Sequence, residues 1–438
     1  MTLSAAVIGA GPSGFYTAHS LINSGADCCV DLIEMLPAPF GLIRSGVAPD
    51  HQGTKGVVKS YEKTAAADQV AFFGNIEVGR DVSLDELREI YDAVVLATGA
   101  PFDRGFEIIG GGKRAMYGAA QFVGWYNGDP RHADLNPALD TTSVGVVGNG
   151  NVALDVARML VKTRAEMAAT DLPEHAANAI HASPVTDVYL FGRRGPEDSN
   201  FTNTELRELA HLEDCAVIID ADVIPDEVPD DGRSARERRT AERNLATLRE
   251  LAAAPKEGKS KRLHFVFFGR PVEVLGGDRI EGLRLEHTYI DNDGETASAG
   301  THFEIPMGML VAAIGYRAAP IEGVPLDDQR GVIRNTDGRV LPGVYAAGWA
   351  KRGPSGVIGS NRPDGEEAAN NILADIREGT KVGRPALESL LRERGARWVS
   401  FDDWKEIDEA EIAAATNGAP REKIVNADEM LAVVEKDA

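Results

Sequence analysis

The stretch Ala5-Ala6-Val7-Ile8-Gly9-Ala10-Gly11-Pro12-Ser13-Gly14 opens this chain; after the run to Gly25 comes Cys28-Cys29-Val30-Asp31-Leu32-Ile33-Glu34. It reads as strand, glycine turn, helix and second strand, the opening of a βαβ unit. Gly9 permits the tight turn, Gly11 lets a pyrophosphate approach the backbone, and Gly14 lets helix and strand pack closely. The helix N-terminus offers unsatisfied N–H groups and a positive dipole end to phosphates. Glu34 ends the second strand, where a carboxylate accepts hydrogen bonds from both hydroxyls of an adenosine ribose and repels a 2′-phosphate. This opening predicts a site for FAD or NAD rather than NADP.

The same arrangement starts again at Thr142-Ser143-Val144-Gly145-Val146-Val147-Gly148-Asn149-Gly150-Asn151-Val152-Ala153, with Ala in place of the third glycine. At the end of the following strand, Asp187–Phe191, no acid stands; Gly192-Arg193-Arg194-Gly195 does. Guanidinium forks match a phosphate in geometry and charge, so Arg193 and Arg194 predict selection of NADP(H) through its 2′-phosphate. Two nucleotide folds with opposite chemistry at the second strand imply one cofactor that stays and one that leaves. Hydride transfer between them needs a flavin in the first site.

Around these openings the chain reads as α/β, with two Rossmann-like dinucleotide-binding domains, the NADP domain inserted into the FAD domain. The segments 97–104 and 313–325 read as crossovers, giving an FAD-binding domain over 1–104 and 318–438 and an NADP-binding domain over 105–317. A buried strand is expected over Tyr91–Thr98, a helix over Glu366–Arg377, and packing of the Trp398 and Trp404 region on the first domain. A chain of 438 residues is long for a single core.

A net charge of −22 argues against nucleic-acid and lipid surfaces. No run of apolar residues is long enough for a transmembrane helix, and the first strand begins too early for a signal peptide to precede it. Cys28, Cys29 and Cys215 form no CxxC pair, so a disulfide framework, a zinc site and a Cys-ligated cluster lack support. A reduced, cytoplasmic protein is expected. Between Arg233 and Arg262 stand ten Lys or Arg against four Glu, a basic island on an acidic chain. It reads as a docking surface for an acidic partner or as a solvated helix with i,i+4 pairs.

The chain resembles the ferredoxin–NADP reductases of the adrenodoxin-reductase type over essentially its whole length. The segments that carry the resemblance are GAGPSGFYTA, LPAPFGLIRSGVAPDH, FFGNIEV, GNGNVALDVAR, FGRRGP, FTNTELREL and GWAKRGPSGVIG, specific in their order and spacing together. The resemblance implies that Ser13, Glu34, Leu42 and Val78 contact FAD, and that Trp349 and Gly356-Val357-Ile358 lie along the flavin. It further implies that Asn149, Gly150, Asn151, Val152, Arg193, Arg194 and Glu205 hold NADP(H), with Gly356 touching its nicotinamide half. His51 and Glu208 match the two polar residues that face nicotinamide and flavin in the family; a tied-down loop and a solvated helix face are the alternatives. No metal is implied. The partner would be an acidic ferredoxin-type iron–sulfur protein docking near Arg233–Arg262, with Lys351 and Arg352 assisting at the flavin edge. One departure stands out: after FGRRGP the family continues with a mainly apolar, Gln-containing stretch, whereas here Glu197-Asp198-Ser199-Asn200 precede Phe201. An electron-input subunit of a larger reductase and a non-catalytic NADPH-sensing flavoprotein are the competing functions; the first would carry a Cys-rich cluster domain.

Overall fold

The computed structural model describes residues 2–435. These divide into two compact units: residues 2–104, 127–133 and 315–435 form the first, and residues 105–126 and 134–314 the second. The return crossing thus falls at Gly315 rather than at residue 318. The short segment Asn127–Ala133 also belongs with the first unit, where Lys423 donates to the carbonyls of Asn127 and Arg44, both at 3.0 Å.

In the first unit β1 (Leu3–Ile8) is buried at all six positions, as expected of a central parallel strand covered on both faces. The turn at Gly9 leads into α1 (Pro12–Ile22), whose Pro12 sits where an N–H would be unpaired in any case. α1 buries Phe15, which stacks on Tyr61 at 4.9 Å between ring centroids; one such aromatic contributes about 1.5–3 kcal/mol on leaving water. β2 (Cys28–Ile33) pairs parallel with β1, β3 (Val70–Phe73) with β2, and β4 (Ala93–Leu96) with the other edge of β1. The strand expected over Tyr91–Thr98 is the shorter β4, because Tyr91 still caps the helix Leu84–Ile90, its N–H bonded to the Leu87 carbonyl; its hydroxyl donates to the buried Asp31 at 2.7 Å.

The second unit repeats the plan. Its strands are β5 (Met116–Gly118), β6 (Ser143–Val147), β7 (Asp187–Phe191), β8 (Cys215–Ile219) and β9 (Lys261–Val266). Its helices are α2 (Asn151–Val161), α3 (Asn203–Glu208) and α4 (Ala235–Ala253). α4 opens with a capping box between Ser234 and Glu237. An antiparallel ribbon follows, β10 (Gly269–Leu275), β11 (Gly282–Ile290) and β12 (Thr296–Pro306), and then β13 (Met309–Ala312) returns to the main sheet. The parallel order is β5-β13-β6-β7-β9-β8.

Back in the first unit, β14 (Arg339–Leu341) and β15 (Val344–Ala346) complete the sheet β14-β15-β4-β1-β2-β3. α5 (Arg362–Asp375) starts four residues ahead of the expected Glu366, because Pro363 is tolerated in its first turn, and ends where Ile376 becomes extended. Trp398 packs on Phe73 at 6.0 Å, and Trp404, in α6 (Phe401–Ala413), packs edge-on against Phe40 at 6.0 Å. In both sheets the glycine-turn strand, β1 or β6, has neighbours reached by connections running in opposite directions, so each has a switch point where open α/β sheets bind ligands. Among the described residues no helix is long and apolar enough to cross a membrane.

Candidate functional site

Gly9 leaves β1 with φ +104, and a Cβ there would stand 2.5 Å from the Ala97 carbonyl oxygen that follows β4. Only glycine fits that approach. Gly11 is the N-cap of α1, and the nearest heavy atom to a Cβ built on it is the Gly41 Cα at 3.9 Å, which leaves the turn open toward a ligand. Gly14 is buried against the Gly9 carbonyl. Glu34 bends back over the turn: its Oε2 accepts the Ala10 N–H at 2.9 Å and its Oε1 the Leu36 N–H at 3.2 Å. Burial pushes its carboxyl above the usual range, opposed by those two donors and by Arg131. Arg131 is itself gripped by the buried Asp129 through Nε at 2.9 Å and Nη2 at 2.5 Å. Sequence reasoning missed this pair, which lies about a hundred residues from Glu34 and carries no motif.

Ser13 is buried in the first turn of α1, with its hydroxyl 3.3 Å from Oδ1 of Asn361. Leu42 is 38% exposed beside Gly41, and Val78 is half-buried. Trp349 begins a one-turn helix after Gly348, donates Nε1–H to the Ser355 carbonyl at 3.2 Å and lies over Tyr316 at 6.2 Å. Gly356 has φ +81, Val357 is 64% exposed, and Ile358 is partly buried on the core. What holds this turn is Arg352, which donates to Ser355 Oγ at 2.9 Å, Ser360 Oγ at 3.0 Å, Asn361 Oδ1 at 3.1 Å and Asp364 Oδ2 at 2.6 Å. Lys351 pairs with Asp364 at 3.0 Å and Glu367 at 2.8 Å; burial opposes its charge, but those two acids hold its pKa above the ordinary value. Both cations, expected to help a partner dock, are therefore internal ties of the Gly-Trp turn. His51 is the N-cap of the short helix Gln52–Lys55, with its side chain 12% exposed and Nε2 4.0 Å from Asp50 Oδ1.

In the second unit Gly148 makes the corresponding turn at φ +147 against the Ala313 carbonyl, and Gly150 caps α2. Asn151 and Val152 form its first turn. The polar departure lies directly over this motif. Asn149 Nδ2 donates to Ser199 Oγ at 2.9 Å, the Asn200 N–H to the Asn149 carbonyl at 2.8 Å, and the Thr202 N–H to Asn151 Oδ1 at 2.7 Å. Arg193 is exposed, and its carbonyl accepts the Thr288 hydroxyl at 2.8 Å. Arg194 donates Nε–H to Thr296 Oγ1 at 3.1 Å and Nη2–H to the Gly294 carbonyl at 2.9 Å, with Asp198 at 3.5 Å and Glu295 at 3.9 Å.

Glu205 and Glu208 lie one turn apart on α3 and share a cation the sequence did not point to. Arg158, on α2 and fully buried, reaches Asp155 at 2.8 Å, Glu205 at 3.6 Å and Glu208 at 3.4 Å. Glu208 is one-third exposed and pairs with that buried guanidinium.

The basic island is less free than its sequence. Arg233 pairs with Asp198 and Asp231, Arg238 with Asp230 at 2.9 Å, and Arg262 with Asp187 at 2.7 Å. Arg249 and Lys259 donate to backbone carbonyls, and Lys261 donates to the Leu160 carbonyl at 2.9 Å. Arg236, Arg239 and Arg243 keep exposed side chains on α4.

Residues 7–61 match the NAD(P)-binding Rossmann-like domain family. A mitochondrial NADPH:adrenodoxin oxidoreductase of Arabidopsis thaliana is 39% identical, the alignment covering 97% of this chain and 94% of that one. The NADPH-ferredoxin reductase FprA of Mycobacterium leprae is 38% identical over 98% of this chain and 97% of its own. The solved structure of Mycobacterium tuberculosis FprA in complex with NADPH superposes with a TM-score of 0.95 at 36% identity, covering 99% of this chain and 100% of that one.

Proposed function

Because this chain belongs to the family of NADPH:adrenodoxin oxidoreductases and NADPH-ferredoxin reductases, we propose that it is a ferredoxin–NADP(+) reductase, a flavoprotein that passes electrons between NADPH and a ferredoxin-type iron–sulfur protein through FAD. The observation that carries this reading is the contrast between the clefts. Glu34 ends β2 over one glycine turn, whereas Arg193 and Arg194 follow β7 beside the other. A carboxylate disfavours a 2′-phosphate and a guanidinium attracts it.

The first turn fits FAD. Gly11 is open, the α1 N-terminus is directed at the turn, and Glu34 retains acceptor capacity beyond the two backbone donors it holds. Gly9, Gly11, Ser13, Gly14, Glu34, Leu42 and Val78 would hold it, with Trp349 and Gly356-Val357-Ile358 along the ring. When bound, FAD supplies the conversion between a hydride and single electrons. Asn149, Gly150, Asn151, Val152, Arg193, Arg194 and Glu205 would bind NADP(H). His51 and Glu208 would orient the nicotinamide and manage the proton that accompanies the hydride, and hydride transfer needs only close alignment of the reacting atoms. The acidic partner would meet the exposed Arg236, Arg239 and Arg243 of α4, since Arg233, Arg238 and Arg262 of the island are already paired with acids.

Stopped-flow mixing tests the reading. NADPH should reduce the flavin in a single turnover, more slowly in His51→Gln, and the reduced protein should then reduce an acidic ferredoxin. That second step should fall steeply with salt and with Glu at Arg236, Arg239 and Arg243. Purified protein that cannot be reconstituted with FAD, or that reduces no ferredoxin, would overturn the function; salt-independent transfer would overturn the docking surface alone.

A further inference from the structure

We propose that Asp198 is a built-in competitor for the 2′-phosphate, sharing Arg194 and thereby setting how strongly the second cleft prefers NADP(H) over NAD(H). The proposal rests on the assignment of Arg193 and Arg194 to that phosphate. Asp198 bridges two guanidiniums, with Oδ2 3.5 Å from Nη1 of Arg194 and Oδ1 3.2 Å from Nη2 of Arg233. Its side chain is 19% exposed, so water screens it only in part. A phosphate monoester carries a charge of about −2 near neutral pH. Bound to Arg194, it would share that guanidinium with the Asp198 carboxylate already paired to it.

The sign of the effect follows from what else holds Arg194. Thr296 Oγ1 and the Gly294 carbonyl bind it at 3.1 and 2.9 Å, both shorter than the ion-pair distance to Asp198. Replacing Asp198 by the isosteric Asn therefore leaves the guanidinium in place and removes only the competing negative charge. Arg233 works in the opposite sense. It also donates to the Glu197 carbonyl at 2.9 Å and pairs with Asp231, and its charge offsets that of Asp198. Without Arg233, Asp198 stands less compensated beside Arg194. The remaining acids weigh less: Glu295 is 81% exposed at 3.9 Å, and burial raises the pKa of Glu197 and so disfavours its charge.

Calorimetric titration of the full-length flavoprotein with 2′,5′-ADP and with 5′-AMP isolates the 2′-phosphate. Asp198→Asn is expected to bind 2′,5′-ADP about three- to tenfold more tightly and 5′-AMP unchanged. Arg233→Ala is expected to weaken 2′,5′-ADP, and the double variant to behave as Asp198→Asn alone, because Arg233 acts through Asp198. Asp198→Asn introduces no cavity, so the test does not depend on whether the Arg233 variant folds. A wild-type protein that prefers 2′,5′-ADP, with an Asp198→Asn variant that binds it equally or more weakly, overturns the proposal. A wild-type protein with no such preference overturns the arginine assignment, and the proposal falls with it.

Discussion

Arg193 and Arg194 are neighbours in the chain but not equivalents in the fold. Arg193 is exposed, and among the described residues no acid pairs with its guanidinium, whereas Arg194 is bound to the ribbon at Thr296 and Gly294 and faces Asp198. A charge-assisted bond from an unencumbered guanidinium is worth about 1.5–3 kcal/mol. Arg193→Ala should therefore raise KM for NADPH roughly tenfold or more, exceed the effect of Arg194→Ala, and leave KM for NADH unchanged. Steady-state kinetics with both nucleotides checks this; equal changes for NADPH and NADH would remove Arg193 from 2′-phosphate recognition. Glu34 was legible because both its chemistry and its distance from Gly14 are local. Arg158 and the Asp129–Arg131 pair were not, because the carboxylates they serve, Glu205, Glu208 and Glu34, are brought near by folding.

At the scale of elements, α2 and α3 are joined by one buried cation. Arg158, with no exposed surface, answers Asp155 on its own helix and Glu205 and Glu208 on α3. Removing the cation leaves three acids in a half-buried setting, which is more costly than never having built the cluster. Arg158→Met, which keeps the volume, should lower stability by about 2–4 kcal/mol at neutral pH, the partial exposure of the acids moderating the full cost of a buried pair. Urea unfolding measures it, and a loss below about 0.5 kcal/mol, the range of an ordinary surface change, would show that the cluster does not hold the helices. The basic island from Arg233 to Arg262 teaches the converse. Asp198 and Asp187, which neutralise Arg233 and Arg262 on either side of α4, come from other parts of the chain, whereas Asp230 reaches Arg238 of α4 from eight positions away.

For the whole molecule, acid sensitivity should have an identifiable source. His181 ends the helix Glu174–Ala182, where the dipole favours a positive charge. Burial nevertheless brings its pKa down from 6.5 to about 4, helped by Arg164 and Lys261. The unfolded chain then binds a proton that the folded one refuses between those values, so this group's contribution to stability is present at neutral pH and is lost as pH falls from 6.5 toward 4. His181→Gln should flatten the dependence of the urea midpoint on pH in that window and leave the steeper carboxylate-driven loss below it. An unchanged slope would assign the acid sensitivity elsewhere.

Taken by itself, the sequence determined the two strand–turn–helix openings, because the positive φ of Gly9 and Gly148 belongs to the turn itself, although the carbonyls of Ala97 and Ala313 that press on them arrive only by folding. It also determined the contrast between Glu34 and the arginine pair, since strand length carries both to the end of the strand next to the glycine turn. Tertiary structure alone decided which charges are free: Arg194 meets Thr296 across 102 positions, Arg233 meets Asp198 across 35, and Asn127–Ala133 joins the first unit from within the sequence of the second. Backbone conformation is a local property and can be read from neighbours in the chain. Electrostatic pairing depends on distances in space, which only the folded chain sets.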